Sequence, residues 1–194
     1  HDALPISAAV ATWLRVIELQ PDHLGALDAL GRLQQVTGDY LEAVRAMEKR
    51  ARLTDDKTGK ATIFYRAAQL CEKQQLDAKR TEDNYVRAIE ADAGYVPALT
   101  ALADLYRGQG DYLRAAKLYG EAEAHTQNRL EKSRFLVEAA RLCLQAGDLA
   151  QARTQFEQIL KSDPEQTDAV AGLADLHWQE GRLDAALPLL ETLT

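Results

Sequence analysis

The chain has 194 residues, enough for one or two ordinary domains, and its 46% hydrophobic and 27% charged residues are those of a folded, water-exposed protein. A net charge of −7 argues against a general nucleic-acid binder, which needs a basic surface, and no apolar run approaches the ~18 residues that would suggest a membrane span. Two cysteines, Cys71 and Cys143, are too few for a disulfide framework and read as small buried hydrophobes.

Residues 1–6 resemble nothing that follows. The chain does not begin with Met, and His-Asp-Ala-Leu-Pro-Ile looks like a translated sequencing adapter, so this stretch is set aside as a non-native or disordered leader. From Ser7 onward apolar residues fall at helical spacing. Ala9, Trp13, Val16 and Ile17 mark one helix, stopped by Pro21, so residues 7–23 form half of a repeat. Residues 24–60 hold a pair of helices, with Leu27, Leu30 and Leu33 in the first and Ala43 and Met47 in the second. Gly38-Asp39 separates them, and residues 55–60 read as a polar connector. Residues 61–95 repeat the plan less regularly. Phe64, Ala67, Ala68 and Cys71 serve one helix, and Tyr85, Ala88 and Ile89 the next. Gln75-Leu76-Asp77 replaces the Gly-Asp turn with about one extra residue.

Residues 96–132 carry the clearest copy: Leu99, Leu102, Ala103 and Tyr106, then Gly110-Asp111, then Tyr112, Ala115, Tyr119 and Ala122, with a second long connector at 125–132. Residues 133–166 run from Leu136 through Gly147-Asp148 to Phe156 and Asp163-Pro164. Residues 167–194 run from Val170 through Gly181 to Ala185-Ala186, with Pro188 inside the last helix. At the Gly-Asp breaks, Gly can take the positive φ that closes a helix, and Asp can accept from the free N–H groups that open the next. A single hairpin cannot bury both of its faces, so the copies are expected to stack.

Gly147 and Gly181 lie 34 residues apart, the period of tetratricopeptide repeats. The residues Leu99, Leu102-Ala103, Tyr106, Gly110-Asp111-Tyr112, Ala115 and Tyr119, with Phe156 and Asp163-Pro164 further on, resemble that family's pattern in several copies in phase, from about residue 7 to the end. The resemblance implies an all-α fold, a right-handed α-solenoid of antiparallel helix pairs with first helices lining a concave groove. It also implies a protein–protein interaction scaffold that takes a peptide or helical segment of a partner. Neither end carries the polar cap of a complete array, which reads as a fragment of a longer protein whose uncapped terminal helices offer end-to-end association.

Helical phase places Asp28, Arg32, Tyr65, Arg66, Gln69, Asp104, Arg107, Arg134, Arg141, Asp175 and Trp178 on or beside the groove face. The line Arg32–Arg66–Arg107–Arg141 suits an acidic or mixed peptide, since guanidinium groups pair carboxylates bidentately, and Tyr65 and Trp178 offer flat anchors. The competing expectation is a solvated face whose charges pair with one another. A chaperone-tail clamp of Lys, Asn and Arg is not expected, because the matching places hold Asp28 and Arg32 in one repeat and Thr100 and Asp104 in another. His23, His125 and His177 are isolated and no nucleotide, metalloprotease or hydrolase motif is present, so no catalytic site, metal or cofactor is expected. The alternative is a regulatory or substrate-presenting region of a larger enzyme such as a glycosyltransferase or kinase. Free cysteines without a visible signal peptide point to the cytoplasm, and the composition and repeat style read as bacterial.

Overall fold

The computed structural model describes residues 3–193, with side chains described from Ile6 onward. Eleven α-helices and no strand occur among them: α1 (Ala3–Leu19), α2 (Leu24–Thr37), α3 (Tyr40–Arg52), α4 (Lys57–Lys73), α5 (Ala78–Ala91), α6 (Val96–Gly108), α7 (Tyr112–His125), α8 (Arg129–Gln145), α9 (Leu149–Ser162), α10 (Thr167–Gln179) and α11 (Leu183–Glu191). Of the residues set aside as a leader, His1 and Asp2 lie outside the described residues. Ala3 to Ile6 belong to α1, which therefore starts four residues before the expected boundary. Contacts divide the chain into two compact units, one ending at Ala98 and one beginning at Leu99.

In the first unit α2 packs on α1 and α3, α3 on α4, and α4 on α5. Short turns between packed neighbours make the pairs antiparallel. Ala51, Ala61, Ile63, Phe64, Ala88 and Ala98 form one apolar cluster, and Val44, Ala67 and Cys71 a second. A buried polar group sits among them. Both oxygens of Glu48 on α3 accept from Arg80 on α5, at 2.8 and 2.7 Å, and Oε1 also accepts from the amide of Asn84 at 2.8 Å.

The two long connectors expected at 55–60 and 125–132 are instead short. The extra residues add turns to helices, making α4 and α8 17 residues each. The cause is capping. Asp56 accepts from Gly59 N at 2.6 Å, and Asn128 accepts from Leu130 N at 2.9 Å and Glu131 N at 3.4 Å, so each helix starts immediately after its cap.

The interrupting glycines behave as expected, with φ of 81° at Gly110 and 80° at Gly147, and Asp111 and Asp148 cap the helices that follow. Asp39 makes no such cap; its carboxylate accepts from the Thr37 hydroxyl at 2.7 Å. In the irregular turn Gln75 takes the glycine place at φ 49°, and Leu76 N reaches Cys71 O at 2.9 Å. Equivalent bonds run from Asp111 N to Tyr106 O and from Asp148 N to Cys143 O. Capping then passes to Asp77, which accounts for the extra residue. A side chain in this left-handed region costs about 1–2 kcal/mol, partly offset by the chain entropy a glycine would lose. Gln75→Gly is therefore expected to stabilise the protein by about 0.5–1 kcal/mol, read as a higher urea midpoint at unchanged slope.

In the second unit α7 packs on α8, α8 on α9, and α10 on α8, α9 and α11. Leu99, Ala103, Ala115, Ala122, Phe156 and Leu176 have no exposed surface. Ala115, like Ala43 and Ala152, is small where two helices meet closely. Both cysteines are free and buried, and burial pushes each thiol above its ordinary pKa. No helix among the described residues is long and apolar enough to cross a membrane.

Candidate functional site

The first helices of the two units present different surfaces. In the first unit an open cleft of about 630 Å³ lies between α2 and α4, over α3. Its apolar side chains are Leu27 from α2, Met47 from α3, and Ile63 and Leu70 from α4. Four cations stand around them, Arg32, Arg50, Arg66 and Lys73, against one carboxylate, Asp28. Asp28 pairs with Arg32 at 2.6 Å and with Arg50 at 2.5 Å. Arg66 and Lys73 are exposed and form no ion pair among the described residues. In a chain of net charge −7, this local excess of positive charge sets the cleft apart.

Of the residues expected on this face, Asp28, Arg32, Arg66 and Gln69 line the cleft. Tyr65 does not. Its ring packs against Tyr85 and Tyr95, with centroids 5.9 and 5.7 Å apart, and its hydroxyl accepts from Gln69 at 2.8 Å. Burial, then the neighbouring Tyr95 and Glu72, raise its pKa against the lowering effect of the Gln69 bond. Arg50 and Lys73 also line the cleft but are not among the residues expected there. Lys73 follows Arg66 and Gln69 at helical spacing and is open to that argument. Arg50 belongs to a second helix, and only the packing of α3 under the cleft brings it there.

In the second unit Arg107 and Arg141 pair with carboxylates of the same unit. Arg107 reaches Asp104 at 2.7 Å and Glu138 at 3.2 Å, while Arg141 reaches Glu138 at 4.0 Å and Asp168 at 2.8 Å. The result is a chain of alternating charges from α6 through α8 to α10. Asp104 also accepts from the Tyr119 hydroxyl at 2.7 Å; burial first, and that bond second, hold the Tyr119 pKa above its ordinary value. Arg134 is exposed, its guanidinium 5.2 Å from the Phe135 ring centre. Asp175 is exposed, as is Trp178 at 63%. Val137, whose helical phase suggests that it projects from α8, is buried at 3% exposure.

These features define a class: repeated helix pairs with a charged, cleft-bearing face and, among the described residues, no group of three side chains able to hold a metal. Residues 106–166 and 143–194 match the tetratricopeptide repeat family model. The repeats of this matched segment, residues 106–194, belong to the tetratricopeptide-repeat family, whose repeats are protein-interaction scaffolds that bind protein or peptide partners.

Among curated proteins it is 30% identical over 122 residues to "Cellulose synthase operon protein C" of Xanthomonas axonopodis pv. citri (strain 306), spanning 60% of this chain but only 8% of that protein. Among solved structures it is similar to YrrB, described as a tetratricopeptide-repeat protein with an unusual peptide-binding site (TM-score 0.61, 17% identity, 93% of this chain and 90% of that one). It is also similar to a tetratricopeptide repeat protein from Parabacteroides merdae ATCC 43184 (TM-score 0.53, 17% identity, 99% of this chain and 73% of that one).

Proposed function

We propose that this chain is an interaction module that takes an acidic or mixed peptide segment of a partner protein in the cleft between α2 and α4. The observation that carries this reading is the charge of the cleft, four cations to one carboxylate, with Arg66 and Lys73 uncommitted. A carboxylate-bearing segment meets charge-assisted hydrogen bonds there without first displacing an internal partner. Support also comes from the fold neighbour YrrB, described as having a peptide-binding site.

Arg107 and Arg141 already hold Glu138 and Asp168, so they contribute little to such a ligand. Charge reversal separates the two surfaces. Arg66→Glu with Lys73→Glu is expected to weaken binding of a labelled Asp/Glu-rich peptide by about tenfold or more, and Arg107→Glu with Arg141→Glu by less than about threefold. Fluorescence anisotropy measures both. Equal losses would move the site out of the cleft, and no loss from either pair would remove the reading.

A second reading has one observation in its favour. The matched segment is a small part of a much longer curated protein. These repeats would then serve as the regulatory or substrate-presenting region of a larger polypeptide associated with an enzyme. The coding sequence flanking this segment at its genomic locus tests that directly.

A further inference from the structure

Asp28 is the one carboxylate in the first unit's cleft, and it holds two guanidinium groups from different helices at once. Its side chain is 28% exposed, between Arg32 at 78% and Arg50 at 35%. Each guanidinium offers five N–H donors in a planar fork, and one oxygen each from Asp28 uses only a fraction of them. Both guanidinium-bearing side chains line the cleft, so donors remain there for a second carboxylate. Beside them lie the apolar surfaces of Leu27, Met47, Ile63 and Leu70, which a purely ionic ligand would leave wet.

We infer that Asp28 is an internal stand-in for a ligand carboxylate. The cleft takes an acidic segment carrying one apolar side chain; a carboxylate of that segment replaces Asp28 on Arg32, and the apolar side chain settles on Met47 and Leu70. This inference rests on the peptide-binding reading above and adds the residue that sets its specificity.

The physical consequence has a sign opposite to that of an ordinary binding residue. A ligand carboxylate beside Asp28 places like charges a few ångströms apart, which costs affinity. Asp28 also keeps Arg32 and Arg50 in place, so weakly acidic segments meet a satisfied surface. Only a segment with several carboxylates and an apolar anchor offers enough to make the exchange favourable. Asp28→Asn keeps the size and the acceptor oxygen while removing the charge.

The test uses the full chain and three labelled peptides: Gly-Asp-Glu-Asp-Leu-Glu-Asp-Glu-Gly, the same peptide with Ser in place of Leu, and a version with Lys at every acidic position. Asp28→Asn is expected to tighten binding of the Leu peptide by about three- to tenfold and to steepen its loss with added salt. The Ser peptide should bind more weakly than the Leu peptide to both proteins, and the Lys peptide should not bind. Glu138→Gln, which releases the equivalent pair in the second unit, should leave affinity unchanged. Asp28→Ser repeats the measurement should Asp28→Asn lose helical circular dichroism.

Unchanged or weaker binding by both Asp28 variants, with Arg66→Glu and Lys73→Glu together still weakening it about tenfold or more, overturns the role of Asp28 and leaves the peptide-binding reading standing. Equal binding of the Leu and Ser peptides overturns the apolar anchor. Failure of both acidic peptides to bind wild type and the Asp28 variants overturns inference and reading together.

Discussion

Replacing Glu48 with Ala is expected to destabilise the protein by about 2–4 kcal/mol, the cost of leaving a partly buried guanidinium without its carboxylate and a buried amide short of an acceptor. Glu48 is 5% exposed and accepts three hydrogen bonds, two from Arg80 and one from Asn84, which is itself fully buried. Removing the carboxylate strands the Arg80 guanidinium in a site where its side chain is 26% exposed and leaves the Asn84 amide with only the Arg80 carbonyl as acceptor. Glu48→Gln should cost less, since one oxygen survives as an acceptor. Urea unfolding at neutral pH measures both.

The same carboxylate makes a pH prediction. Burial acts to raise its pKa, but hydrogen bonds from Arg80 and Asn84 and the charges of Arg80 and Arg87 outweigh burial, so it titrates below its ordinary value of 4.5. A group depressed in the folded state stabilises the fold fully above its unfolded pKa and loses that contribution as pH falls through the folded pKa. The stability gap between wild type and Glu48→Gln should therefore be constant from neutrality to about pH 5 and close progressively below 4.5. A gap that widens in acid would contradict the arrangement.

Phe156→Ala should cost a similar amount, about 3–5 kcal/mol, because the ring is fully buried in the second unit. What makes this site informative is Gly172. A Cβ built there would lie 2.2 Å from Cζ of the Phe156 ring, so helix α10 approaches α9 as closely as a bare backbone allows. Gly172→Ala alone should destabilise by about 1–3 kcal/mol through overpacking, despite the better helix propensity of Ala. In the double variant the ring that the added methyl would strike is gone, so the two costs should fall short of their sum by about 1 kcal/mol or more. Gly31 supplies the contrast. A Cβ there would meet Met47 Cγ at 3.5 Å, an ordinary contact, and Gly31→Ala is expected to gain about 0.5–1 kcal/mol from helix propensity. Thermal or urea unfolding of the four variants decides all of this.

How much of the fold is legible in the residue order depends on the range of the interaction. Helix pairing is open to reading because its signals are local. Gly110 and Gly147 at positive φ, Asp111 and Asp148 as caps, and apolar residues three and four apart all act within one turn of the chain. The helical starts at Lys57 and Arg129 are local too, yet their polar runs read as loops, although Asp56 and Asn128 cap them. Helical phase also groups Asp28, Arg32, Arg66 and Gln69, which all line the cleft, since each sits on a first helix whose rotation the apolar stripe sets.

Which of these charges remain available to a partner was decided only by the tertiary structure. Arg66 and Arg107 look alike in sequence, each on a first helix among similar neighbours. Arg107 finds Glu138 31 positions away on α8, while Arg66 finds no carboxylate among the described residues. Arg50 enters the cleft from a helix assigned to the opposite layer, and Val137 leaves the surface for the core. The residue order thus determined the repeated hairpins and their buried stripes, because backbone propensity and hydrophobic period are properties of consecutive residues. The pairing of long, flexible charged side chains depends on distances between helices, and those exist only once the helices have packed.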